Sequence, residues 1–138
     1  MTENPSISQK TRQIIERLQA IQLRVEEACA RSRRDPATVK LLAVSKKQSL
    51  DTIRAGYAAG LRNFAENYAE EATEKIAVLS DLTGISWEMV GHIQSRKAKL
   101  VAQGFTRIHS VDSLKLARLL DSARSAGLKP LEVLLEVN

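Results

Sequence analysis

Lys46 is the residue of this sequence best placed to do chemistry, because it directly follows an apolar run. The stretch from Val39 to Gln48 begins with aliphatic and β-branched residues, which predicts a buried strand with a lysine at its carboxyl end. An amine held there loses hydration, and a neutral amine is the nucleophile that attacks an aldehyde. The alternative is a lysine whose side chain extends to solvent beside Lys47 and binds nothing.

Polar residues also follow the other predicted strands. Asn67 follows the second strand, His92 the third and Ser110 the fourth. The loops after parallel strands converge on one edge of the sheet, which is the layout of a binding mouth. Asn67 has a structural alternative, since Asn67 and Glu70 have the spacing of a capping box. His109 lies inside the fourth predicted strand, where we expect a structural histidine.

Two cations, Arg96 and Lys97, lie in the first turn of a predicted helix. Cations at this end oppose the helix dipole. We therefore expect an anionic neighbour, either a cofactor phosphate or a nearby glutamate.

The elements that must position these residues alternate regularly along the chain. A polar tail and a long amphipathic helix are predicted over residues 1–38, with the helix from Thr11 to about Arg31. Strands are predicted to begin near residues 39, 62, 86, 106 and 131. The helices between them are predicted to start at Ser49, Asn67, Ser95 and Asp112.

Such alternation predicts an α/β fold with a parallel sheet, either open and doubly wound or part of a barrel. A complete eight-stranded barrel needs about 250 residues, and this chain has 138. The barrel alternative is therefore a partial barrel over residues 39–138, with residues 1–138 forming a single domain.

Composition excludes several classes of protein. The net charge is +5 but aromatic residues make up only 4%, so a nucleic-acid surface with stacking residues is not expected. The apolar runs are too short for a membrane span, and the first residues do not resemble a signal peptide, which predicts a cytoplasmic protein. We expect Cys29 to be a buried, inert thiol. His92 and His109 have no metal-ligand spacing, so no metal site is expected.

Four segments carry a resemblance to a known family. They are Ala43–Lys46 (AVSK), Phe64–Tyr68 (FAENY), Gly91–Lys97 (GHIQSRK) and His109–Ser113 (HSVDS). In this order and spacing they resemble the pyridoxal phosphate homeostasis proteins, whose fold is similar to the N-terminal barrel of alanine racemase. The resemblance runs from the first helix to residue 138 and implies a TIM-type barrel, present here with about five strands.

The resemblance also implies a function. Lys46 would form a Schiff base with pyridoxal 5'-phosphate (PLP), and Asn67, His92 and Ser110 would lie around the cofactor. The implied role is intracellular PLP homeostasis, with no catalysed reaction of the chain's own. Members of the family continue through the rest of the barrel, where further segments hold the cofactor phosphate.

Some residues depart from the family pattern, and two other functions stay open. Ala65 stands where glycine is usual, Glu70 where glutamine is common and Arg96 where asparagine is usual. One alternative is a PLP-dependent racemase-like enzyme, which needs a second acid-base residue opposite Lys46. The other is a truncated interaction module that no longer binds PLP. In either case the open edges of a partial barrel favour self-association.

Overall fold

The structure, a computed structural model, describes residues 6–137. The chain forms two compact units, residues 1–42 with 48–61 and residues 43–47 with 62–138. Part of the predicted N-terminal tail, residues 1–5, lies outside the described residues. The predicted single domain with a boundary at residue 38 stays a prediction.

The first unit is helical. Its elements are α1 (Ile7–Ser32), a short 3₁₀ helix (Pro36–Thr38) and α2 (Leu50–Ala58). The helix α1 begins earlier than its apolar spacing predicts, because the Ser6 hydroxyl accepts a hydrogen bond from Gln9 N at 3.2 Å and caps it. Helix α1 packs against α2. Within this unit Cys29 is a buried, free thiol, as predicted.

The second unit is a parallel sheet with helices between its strands. Its strands are β1 (Ala43–Val44), β2 (Asn63–Glu66), β3 (Ser86–Met89), β4 (Arg107–Val111) and β5 (Glu132–Leu135). Each pairs in parallel with the next, in the order β1-β2-β3-β4-β5. A doubly wound sheet reverses its strand order partway, whereas a β/α barrel keeps the strands sequential. The sheet is thus a partial barrel, which confirms the predicted fold class.

Three α-helices complete this unit, namely α3 (Ala69–Val78), α4 (Ala98–Gly104) and α5 (Leu114–Ala123). Three predicted helix starts are wrong, the first because the N-cap of α3 is Tyr68 in place of Asn67. Ser95 opens a 3₁₀ turn ahead of α4 and does not cap an α-helix. The cap of α5 is Ser113 in place of Asp112, since the Ser113 hydroxyl accepts from Leu116 N at 3.2 Å. The predicted cap at Ser49 is correct, because its hydroxyl accepts from Thr52 N at 3.3 Å.

The prediction of a buried first strand is wrong. Strand β1 spans only two residues, and Val44 is 54% exposed. The reason is its position at the edge of the sheet, where β2 is its sole strand partner among residues 6–137. The apolar run from Val39 predicts burial on both faces, but an edge strand does not provide it.

The core of the second unit lies where strand and helix residues meet. Phe64 and Trp87 lie on one face of the sheet, with ring centroids 5.7 Å apart. Met89 and Ile108 extend this buried set along β3 and β4. Among the described residues, no helix is long and apolar enough to cross a membrane.

Candidate functional site

The four predicted site residues lie at the carboxyl ends of β1 to β4. Lys46 follows β1, Asn67 directly follows β2, His92 lies in the loop after β3 and Ser110 is near the end of β4. The pairing of successive strands brings their ends to one edge of the sheet. Convergence at this edge is a consequence of parallel pairing, as the sequence predicts.

Lys46 presents an unpaired amine. The residue is exposed, and its side chain makes no hydrogen bond or ion pair with any residue in the range 6–137. The preceding residue, Ser45, is buried and donates its backbone N–H to Ala65 O at 2.8 Å. The backbone is therefore anchored in the sheet directly before Lys46, while the amine is accessible to solvent.

Asn67, Gly91 and Ser110 are joined by direct contacts. A Cβ atom added to Gly91 would lie 2.1 Å from Asn67 O, so the loops after β2 and β3 touch backbone to backbone. The Ser110 hydroxyl donates to Gly91 O at 2.6 Å. Ser110 is buried, and its hydrogen bond anchors the loop after β3. Its role at the strand ends is therefore structural.

A Gly91→Ala variant should show how far the mouth depends on this approach. A methyl group there overlaps a backbone oxygen, so we expect the free energy of unfolding to fall by about 2 kcal/mol or more. Urea denaturation would measure this. Gly127→Ala is the matched control, because an added Cβ there meets no atom within 4 Å. Equal stabilities for the two variants would contradict the prediction.

His92 lies at the surface of the mouth. Its side chain is 71% exposed, and Nδ1 lies 3.6 Å from Asp112 Oδ2. Both groups belong to loops at the strand ends. The imidazole therefore lies near a carboxylate and is accessible to a ligand.

A groove of about 390 Å³ opens beside these loops. It is lined by Asn67, Tyr68, Ala69, Glu70, Met89, Gly91, His92, Ile93, Gln94, Arg96, Lys97 and Val101. The structure thus brings Asn67 and His92 to one concavity, but Lys46 and Ser110 are not among the lining residues.

The predicted capping box of Asn67 and Glu70 is wrong. The N-cap of α3 is Tyr68, and no side chain caps this helix. Glu70 forms an ion pair with Lys97. Glu70 is thus an anionic neighbour of Lys97, as expected, while Arg96 Nε donates to Gln94 Oε1 at 2.9 Å. With no cap to make, the Asn67 side chain is available to a ligand.

Sequence reasoning missed a buried polar cluster beneath Lys46. Lys75 Nζ on α3 donates to Glu66 Oε1 at 2.9 Å and to Ser45 O at 2.8 Å. The Ser45 hydroxyl donates to the same Glu66 oxygen at 2.6 Å. The sequence places Glu66 and Ser45 at the ends of two apolar strands. No motif there indicates that either residue is buried.

Glu71 extends this cluster to the other side of Lys46. Its Oε1 accepts a hydrogen bond from Lys47 N at 2.8 Å and lies 2.7 Å from Lys75 Nζ. The hydrogen bond from Lys75 is the main reason that the pKa of Glu71 is lowered below its ordinary value. Glu71 therefore remains a carboxylate, and remains an acceptor, throughout the neutral range.

A second polar group lies on strands β3, β4 and β5. His109 Nε2 lies 2.6 Å from Glu88 Oε2, and Arg107 bridges Glu88 and Glu132. The hydrogen bond with Glu132 is the main cause of the raised pKa of Arg107. His109 is thus paired inside the strand, as expected of a structural histidine.

These residues fit an aldehyde ligand such as PLP. Lys46 supplies an accessible amine whose side chain is not engaged elsewhere within residues 6–137. Asn67 and His92 supply polar groups beside the groove. Lys97 is a weak candidate for a phosphate contact, because its charge is already paired with Glu70. No group of acidic, histidine or cysteine side chains suited to a metal ion occurs in the described part of the chain.

Fold and site together define a class, namely a parallel β/α partial barrel with an accessible lysine at the carboxyl end of its first strand. A pyridoxal phosphate homeostasis protein of Pseudomonas aeruginosa is 48% identical over 125 residues, which is 91% of this chain and 54% of that protein. Its counterpart in Escherichia coli is 38% identical over 127 residues, with the same two coverages, 91% and 54%.

A solved structure agrees with these sequence relatives. PipY of Synechococcus elongatus, with PLP bound, has a TM-score of 0.65 and 44% identity, covering 80% of this chain and 47% of PipY. The chain is therefore similar to pyridoxal phosphate homeostasis proteins over about half of their length, and the resemblance in its motifs is confirmed. It spans about half the length of the curated relatives it matches. No protein-family model matches the chain.

Proposed function

We propose that this chain binds PLP through Lys46 in intracellular PLP homeostasis and catalyses no reaction of its own. The observation that carries the proposal is the exposed, unpaired Lys46 amine at the end of β1, in a chain that matches proteins named for this role. When bound, the cofactor supplies an aldehyde carbon, which condenses with the amine with loss of one water.

The other three residues have separate roles in this proposal. Asn67 and His92 contact the ligand from the groove, because both residues line it and the His92 side chain is exposed. Ser110 acts through its hydrogen bond to Gly91 O, which fixes the loop that carries His92. Ser110 is therefore a positioning residue, and we expect no direct contact between it and the ligand.

The experiment that tests the proposal is a titration of the purified chain with PLP, followed by visible absorption. A saturable absorption band would support it, provided that borohydride reduction then fixes the cofactor on the peptide containing Lys46. A band that grows linearly without saturation would overturn it, because exposed lysines react in that way.

The reaction product distinguishes a racemase-like enzyme from a protein that only binds PLP. Proton transfer on both faces of an amino acid needs an acid-base group on each side. Incubating the PLP-loaded chain with L-alanine and assaying the D-isomer distinguishes the two functions. If D-alanine forms faster with the loaded chain than with free PLP alone, the chain is an enzyme and the proposal of a non-catalytic role fails.

We also propose that a second copy of the chain covers the exposed strand β5. All four of its residues are exposed, and Leu135 is 76% exposed. The strand pairs with β4, and no other described strand lies along its second edge. An apolar edge of this kind is a template for pairing with another chain. The proposed role in intracellular PLP homeostasis places the chain in the cytoplasm.

A Leu135→Lys variant tests this association. A charge on the exposed edge disfavours strand pairing, so we expect the dimer dissociation constant to rise by about tenfold or more. Light scattering coupled to size exclusion measures it. Leu114→Lys is the matched control, since Leu114 is an exposed leucine on α5 away from the strand. A wild-type chain that is a stable monomer would contradict the proposal.

A further inference from the structure

Both neighbours of Lys46 are hydrogen-bonded to carboxylates. On the preceding side, the Ser45 hydroxyl donates to Glu66 Oε1 at 2.6 Å. On the following side, Lys47 N donates to Glu71 Oε1 at 2.8 Å. Lys46 itself makes neither contact. The residue proposed to carry the chemistry thus lies between two anchored neighbours.

One ammonium group links these two anchors. Lys75 Nζ contacts Glu66 Oε1 at 2.9 Å, Glu71 Oε1 at 2.7 Å and Ser45 O at 2.8 Å. These three acceptors match the three donors of a lysine ammonium. We call Glu66, Glu71 and Lys75 the Lys75 cluster. Glu66 binds the Ser45 hydroxyl, Glu71 binds the Lys47 backbone N–H, and both carboxylates contact the same cation.

The cluster carries a free-energy penalty that packing alone does not explain. Glu66 is 0% exposed, and its second oxygen, Oε2, has no hydrogen-bond partner among the described residues. Burying a charged group with an unpartnered oxygen is costly. An apolar pair in the same place would avoid that penalty. The retained charges therefore call for a role beyond stability.

The turn after β1 is also strained. Lys47 has φ of 58°, in the left-handed region that residues with a side chain rarely adopt. Such a conformation persists only when its surroundings impose it, and it is common at ligand-binding sites. The Lys47 N–H donates to Glu71 Oε1 at this same residue, which holds the backbone of the turn.

We propose that Glu66, Glu71 and Lys75 are positioning residues, which hold the Ser45–Lys47 turn so that the Lys46 amine is presented at the strand ends. This inference rests on the proposed function, since it assigns the cluster to the same lysine. None of the three residues touches the ligand in this proposal. They act on Lys46 through its two neighbours, at the Ser45 hydroxyl and carbonyl and at the Lys47 N–H.

Glu71 is the residue at which to test the cluster, because its side chain is partly exposed at 32% and its truncation leaves the core intact. Glu71→Gln keeps an oxygen that accepts from Lys47 N but removes the charge. Glu71→Ala removes both. Glu74→Ala is the matched control, an exposed glutamate on the same helix α3.

The first measurement is hydrogen exchange at the Lys47 amide, which needs no cofactor. Loss of a hydrogen bond worth about 1 to 1.5 kcal/mol should make exchange about tenfold faster in Glu71→Ala. Exchange in Glu74→Ala should stay close to that of the wild type, while Glu71→Gln, which keeps the acceptor but loses the charge, should lie between the wild type and Glu71→Ala. Unchanged exchange in Glu71→Ala would overturn the inference.

The pH dependence of Lys47 amide protection shows whether the hydrogen bond to Glu71 depends on the negative charge of the carboxylate. The charged groups facing Glu71 are Lys75 on its own helix and Lys47 from the turn. Because its pKa is lowered in the folded chain, the contribution of Glu71 is complete above the unfolded-state pKa and is lost as the pH falls through the folded-state value. We expect Lys47 protection in the wild type to fall in that acidic window to the level of Glu71→Gln, whose own protection stays level there.

The second measurement is the selectivity of PLP for Lys46 over the exposed Lys99 after borohydride reduction, read by peptide mass. We expect the ratio to fall about tenfold in Glu71→Ala, in line with the lost hydrogen bond, and to hold in Glu74→Ala. An unchanged ratio in a folded Glu71→Ala chain overturns the positioning role. If the wild type itself shows no selectivity, the proposed function fails, and the exchange data on Lys47 still decide whether the cluster holds the turn.

Discussion

A Lys46→Ala variant should lose specific PLP binding while keeping its fold. The side chain is exposed and unpaired within residues 6–137, so its removal breaks no internal contact. Loss of the covalent bond should weaken binding by about a hundredfold, or ~2.7 kcal/mol. The measurement is the saturable absorption band in a PLP titration, with borohydride reduction to fix the bound cofactor before peptide analysis.

Two control variants make this result specific. Lys46→Arg keeps the charge and the long stem but cannot condense with an aldehyde at neutral pH, so it should resemble Lys46→Ala. Lys47→Ala removes the adjacent lysine and should keep the band. A band of equal strength in Lys46→Ala would mean that other lysines react. The interaction module that has lost its cofactor would then become the preferred function.

A Lys75→Met variant should be the most destabilised of those considered. Lys75 is 7% exposed and contacts the fully buried Glu66. Removing the cation leaves a buried carboxylate without its counter-charge, which costs about 3–5 kcal/mol. Urea denaturation near neutral pH should therefore show a midpoint well below that of the wild type, with an unchanged dependence on denaturant.

The double variant Glu66→Gln/Lys75→Met distinguishes a lost ion pair from lost packing. Because it removes both charges, it should recover part of the stability that Lys75→Met loses. Lys99→Met, at an exposed position of α4, should stay within about 0.5 kcal/mol of the wild type. A Lys75→Met chain as stable as Lys99→Met would show that Glu66 is not stabilised by its partner.

The architecture could be predicted well from the sequence. The alternation of apolar runs and amphipathic stretches placed all five strands, since this periodicity is a local signal. Ser49 was recognised as a cap from its position before a helical pattern. The first strand was predicted too long and too buried, because a sequence pattern does not distinguish an edge strand from a central one.

The site could be predicted in part. Lys46 and Asn67 stand at strand ends, and parallel pairing alone brings strand ends to one edge. The role of Asn67 could not be resolved, because a capping box and a free side chain share the same sequence spacing. The structure excludes the cap by placing Tyr68 at the N-cap of α3. The contact of Glu70 with Lys97 joins residues from two different helical segments, which no local pattern reports.

The sequence by itself determined the order of strands and helices and the placement of a lysine after the first strand. Only the tertiary structure decided which lysine is free and which is buried. Lys46 follows an apolar run yet is exposed, whereas Lys75 lies in a polar helical stretch yet is buried. Its partners Glu66 and Ser45 lie 9 and 30 residues away. Chain folding sets such distances, so the charge pairing that distinguishes the two lysines exists only in the folded chain.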